Sequence, residues 1–131
     1  MLKKTAALLL GCHLIFSFLH PLLSAAQTWD LLGHARIDAT RDHQKILVTR
    51  RGGLFSSIQL RISGDPIFFD RVIVHFDNGT SQALPIRDRL SPSAKNNILD
   101  FHGERRAIES VELWYFNQHW AQSPTVILYG S

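Results

Sequence analysis

Residues 67–86 read IFFDRVIVHFDNGTSQALPI, and how this segment pairs with itself decides the fold. Its apolar residues recur with a period of two, the spacing of a strand with one covered face, and no 3.6-residue period competes with it. Asp77-Asn78-Gly79 supplies the turn chemistry. Loop parity then settles which side chains share a face. A two-residue Asn78-Gly79 turn pairs Val72 and Val74 with Pro85 and Ala83. A three-residue loop, with Gly79 left-handed, places Val72, Val74 and Phe76 on one face with Leu84 and Ile86. The second arrangement unites the large apolar groups and is the expected one. Its opposite face carries Arg71, Ile73, His75, Ser81 and Ala83, a mixed, wet surface.

The same period extends in both directions. Expected strands are Trp29 to Ala35, Lys45 to Thr49, Phe55 to Ile62, Ile67 to Phe76, Gln82 to Ile86, Asn97 to Phe101, Ile108 to Phe116 and Thr125 to Tyr129. Between them lie Arg51-Gly52-Gly53, Ser63-Gly64-Asp65-Pro66, Ser91-Pro92 and Gly103, all turn formers. About eight short strands with regular punctuation and no helical stretch indicate an all-β, antiparallel β-sandwich of jelly-roll type, with a closed barrel as the alternative. One domain over residues 27–131 accounts for the chain after its leader, without repeats or linkers.

The leader is read from Met1 to Ala26. A basic start at Lys3-Lys4, an apolar run from Ala6 to Leu19 and the small residues Ser24-Ala25-Ala26 have the layout of a signal peptide cut after Ala26. A membrane anchor needs about 20 apolar residues, and His13, His20 and Pro21 interrupt this run. Leu9-Leu10-Gly11-Cys12 resembles a lipoprotein box, but greasy residues follow Cys12 where a polar tether is expected. Processing at Ala26 removes the only Cys and the only Met, so the exported chain, periplasmic or secreted, has neither disulfide nor thiol chemistry.

The whole sequence has 14 Lys and Arg against 11 Asp and Glu, a net charge of +3, and loss of Lys3 and Lys4 brings this to +1. The arginines are scattered, so the sequence offers no basic stripe for nucleic acid. No cofactor motif is present: there is no phosphate loop, nucleophile elbow or HExxH pattern, which argues against an enzyme.

Ile108 to Phe116, IESVELWYF, carries the candidate binding residues. Val111, Leu113 and Tyr115 share one face, the core face; Ser110, Glu112, Trp114 and Phe116 share the other. Trp114, Phe116 and Trp120, flanked by Arg105, would form an aromatic platform for a glycan, because an indole ring stacks on the apolar face of a sugar. The competing reading is that Trp120 folds back as part of a packing cluster. Arg106, just before the strand, is read as structural. A weaker alternative is a metal site at Asp100, His102 and Glu104, which project to one side if the strand runs on through Gly103.

Taken in order, WDLLG, ILV, FSSIQLRISGDPIFFDRVIVHFDNG, LPIR, DFHGERRAIESVELWYF and PTVILYG resemble a family of small exported bacterial proteins of unknown function. The resemblance implies a β-sandwich and export, and brings no site residues. The sequence therefore points to a non-catalytic envelope or secreted module that binds a glycan or other polar polymer. The alternative is a structural or interaction domain that meets a protein partner through its strand edges, and a metal-dependent enzyme using Asp100, His102 and Glu104 is a distant third.

Overall fold

The computed structural model describes residues 28–49, 53–86, 89–93 and 97–131. The expected leader and its expected cleavage site, with Arg50 and Arg51, lie outside the described residues. The described chain forms nine strands and no helix: β1 (Asp30–Arg36), β2 (His43–Leu47), β3 (Ser57–Ser63), β4 (Ile67–Phe76), β5 (Ser81–Leu84), β6 (Arg89–Leu90), β7 (Ile98–Asp100), β8 (Ile108–Tyr115) and β9 (Thr125–Gly130). They build two antiparallel sheets. The four-stranded sheet has the order β1-β9-β3-β7; the five-stranded sheet has the order β2-β8-β4-β5, with β6 pairing β4. Successive strands mostly cross from one sheet to the other, which gives the jelly-roll order expected of the sequence.

The β4–β5 hairpin has the three-residue loop. Val72 pairs with Leu84 and Val74 with Gln82, Phe76 N donates to Thr80 O, and Gly79 N donates back to Phe76 O. Gly79 takes a φ of 85°, the left-handed value that an L side chain resists. Asn78 Oδ1 accepts from the Thr80 amide at 3.1 Å and from its hydroxyl at 2.6 Å, which fastens the loop.

Alternation fills the space between the sheets. Leu32, Ile58, Leu60, Val126 and Leu128 of one sheet meet Ile46, Phe69, Val72, Val74, Val111 and Leu113 of the other, all buried. Only Ile67–Phe76 has both ends where the sequence reading puts them; most other boundaries move by one or two residues, and four differences have a clear cause or consequence. β2 starts at His43, because Gln44 and Lys45 continue the ladder on β8. β5 stops at Leu84, before Pro85, whose nitrogen has no hydrogen to donate. β6 is an added two-residue strand held against Ile67 and Phe68. β7 stops at Asp100, and Gly103 turns with a φ of 94°.

The outer strands are β1 and β7 of one sheet and β2 and β5 of the other. β1 and β2 meet at one corner, where Thr49 N and Oγ1 both donate to Leu32 O at 2.9 and 3.0 Å. Tyr115 fastens the loop between these two strands by donating its hydroxyl to Asp38 O at 2.9 Å. The remaining edges, β5 and β7, are four and three residues long.

Candidate functional site

The outer face of the five-stranded sheet brings together side chains from three strands. β8 runs between β2 and β4. Register sets His43 and Arg71 on either side of Trp114, and Lys45 and Ile73 on either side of Glu112. The His43 ring stacks on the Trp114 indole, with centroids 4.3 Å apart and planes 18° apart. From the other flanking strand, the Arg71 guanidinium carbon lies 4.5 Å from the indole centre, a cation–π contact. The indole N–H donates to Glu112 Oε1 at 2.8 Å. The second carboxylate oxygen, Oε2, accepts from His75 Nε2 at 3.0 Å.

Both oxygens of a half-buried carboxylate are therefore engaged. The hydrogen bond from His75 is the main reason that the Glu112 carboxyl sits below its ordinary range; burial opposes it, and the indole N–H and nearby Lys45 assist. His43 is held in turn by Asp42, whose Oδ1 lies 2.7 Å from Nδ1. That bond is also the main cause of a lowered Asp42 pKa. Beside this network Arg41, His43, Gln44, Lys45 and Glu112 line a hollow of about 440 Å³, open to solvent and basic at its rim.

The sequence-derived candidates fall in three places. Trp114 and Phe116 lie at the same end of β8; Phe116 is 46% exposed and meets the Phe68 ring edge-on at 5.4 Å. Trp120 lies apart from that face. It packs against the core, tilts against Tyr115 at 6.2 Å and donates its indole N–H to Pro66 O at 3.1 Å. Arg105 precedes the opposite end of β8, where its Nη2 donates to Leu54 O at 2.6 Å. Neighbouring Arg106 covers the Phe76 ring at 3.6 Å and donates to Thr80 Oγ1, so it fastens the hairpin loop to the start of β8. The four residues do not form one platform. The companions of Trp114 are His43, Arg71, His75 and Glu112.

A family model described as Domain of unknown function (DUF2541) matches residues 8–130. The chain belongs to that family. No curated protein and no solved structure matches it.

In this DUF2541 domain the three-residue metal site fails for a backbone reason. The idea required a strand through Gly103, but β7 ends at Asp100 and the positive φ of Gly103 breaks the alternation that would align Asp100, His102 and Glu104. Among the described residues no group of three or more His, Cys, Asp or Glu side chains is placed to hold a metal ion. Nor, among them, is any helix long and apolar enough to cross a membrane.

Proposed function

We propose that this domain is a non-catalytic binding module, exported to the periplasm or beyond, which holds a glycan or another polar polymer on the outer face of its five-stranded sheet. The observation that carries this reading is the Trp114 network. An indole clamped by His43 and Arg71, with its N–H and the Glu112 carboxylate fixed, presents polar groups in set positions across three strands. Such preorganisation lowers the ordering cost of binding a flexible chain. Because both ring faces are approached by neighbouring side chains, a ligand meets the Arg71, His43 and Lys45 head groups and the indole edge. Phe116 and Phe68 offer an apolar contact beyond them.

The test is a titration of the purified domain with soluble glycans and cell-wall polymers, followed by tryptophan fluorescence. Saturable quenching that Arg71→Ala weakens about tenfold supports the reading, a loss of about 1.4 kcal/mol. Quenching indifferent to Arg71, or none, contradicts it. Export is tested separately by intact mass, which should place the first residue of the processed chain at Gln27.

A further inference from the structure

The clamp on Trp114 decides what kind of polymer the outer face of the five-stranded sheet can hold. An indole attracts a neutral sugar or a nucleobase through an open ring face. Here the His43 ring lies against the indole at 4.3 Å and the Arg71 guanidinium carbon stands 4.5 Å from its centre, so flanking side chains occupy the stacking surface. What remains to attract a ligand is charge. The acidic groups of this face are engaged from within: Glu112 by the Trp114 N–H and His75, Asp42 by His43, and Asp38 by Thr40 and Arg41. Lys45 and Arg71 are exposed, and among the described residues neither is in an ion pair.

Register fixes where these two cations stand. Lys45 pairs with Glu112 and Arg71 with Trp114, on opposite sides of β8. With about 4.8 Å between strands and about 3.4 Å per residue, two strands across and two residues along, their Cα atoms are about 12 Å apart. The Arg71 head group is held over the indole, while Lys45 lines the hollow on the β2 side. Two anionic groups on one chain, one at each side of β8, therefore match the face better than one. A guanidinium held against a ring also keeps its edge donors in a set orientation for a carboxylate.

Glu112, between the two, selects what the chain carries in the middle. An ionised carboxylate only accepts hydrogen bonds, and the bond from His75 keeps this one ionised at neutral pH. It repels an anion placed on it and accepts from a hydroxyl. Inorganic polyphosphate has no hydroxyl along its chain to offer there, and a nucleic acid finds no open ring on which to stack its bases. We propose that the polymer is an acidic polysaccharide, whose carboxylates pair with Arg71 and Lys45 while a hydroxyl between them donates to Glu112. This deepens the reading of the same face given above and rests on it.

The experiment uses protein produced from its full coding sequence. NMR spectra follow the Trp114 indole N–H and the Lys45 and Arg71 backbone signals during addition of galacturonate, hexagalacturonate, its full methyl ester, inorganic polyphosphate or single-stranded DNA. Hexagalacturonate should bind about tenfold tighter or better than the single sugar acid and than the uncharged ester, because only the acidic oligomer reaches both cations. Its affinity should fall about tenfold or more between about 50 mM and about 500 mM salt. Lys45→Gln and Arg71→Gln should each remove most of the preference for the acid over the ester, and Lys45→Gln should melt at the parental temperature. An ester bound as tightly as the acid would overturn the charge assignment and leave the glycan reading of this face standing. Polyphosphate or DNA bound more tightly than hexagalacturonate would overturn the sugar assignment. Signals that respond to no ligand at millimolar concentration would remove both the proposal and the reading beneath it.

Discussion

The carboxylate of Glu112 and the imidazole of His75 lie 3.0 Å apart across β8 and β4, with Trp114 bonded to the other carboxylate oxygen. The His75 bond depresses the folded-state pKa of Glu112 below the ordinary 4.5. A depressed carboxylate contributes stability that is complete above its unfolded pKa and disappears as pH falls through the folded one. Acidification from about pH 5 to about pH 3 should therefore destabilise the domain, and Glu112→Gln should flatten that part of the curve. Melting temperatures across this range for both proteins check it; parallel curves would assign the acid sensitivity to other groups.

Gly79→Val should lower stability by about 1–3 kcal/mol, read as a shift of the urea midpoint at constant slope. The cause is the backbone alone: φ is 85°, and a Cβ built there has nothing within 4 Å to strike. Gly79→Asn, a residue that tolerates the left-handed region, should cost visibly less. Equal costs for the two would show that something other than φ is at stake.

The hairpin that carries Gly79 was readable from sequence because its two strands are consecutive and share a sheet, so loop parity alone fixes the register. Most other connections cross between sheets, and their register depends on partners far away in the chain. Position along β8 identified Trp114 and Glu112 as face-mates, and the hairpin identified Arg71 and His75 as lying on a wet face. That these are one surface follows only from β8 pairing with β4, and from β2 bringing His43 to the other side. Similar reasons explain the failures. The alternation assumed through Gly103 was broken by a left-handed turn, and Trp120, beyond the last paired residue of β8, lay where periodicity has no authority.

Arg106→Ala should destabilise the domain by about 1–2 kcal/mol, whereas Arg105→Ala should stay within about 0.5–1 kcal/mol. The two neighbours differ in what they touch. Arg106 covers the buried Phe76 ring and bonds the hairpin loop, while exposed Arg105 makes a hydrogen bond to one backbone carbonyl. Chemical denaturation of the two single variants separates these roles, and a reversed order would remove Arg106 from the support of the loop.

The two tryptophans near the end of β8 should part company in the same assay. Trp120 has its ring against the core and its N–H satisfied by Pro66 O, so Trp120→Ala loses packing and leaves a carbonyl without its donor; about 2–4 kcal/mol is expected, approaching the cost of Leu113→Ala. Trp114 stands on the outer face, and its truncation gives up one stacking contact, one cation–π contact and a hydrogen bond that water can replace for Glu112. Trp114→Ala should cost about 1 kcal/mol of stability, yet weaken a polymer held on that face by about 1–3 kcal/mol. Urea unfolding and the fluorescence titration, run on both variants, make the comparison. A Trp120 variant as stable as the parent but defective in binding would restore Trp120 to the recognition surface. A Trp114 variant that loses stability and keeps its affinity would make the whole aromatic run of β8 a structural feature.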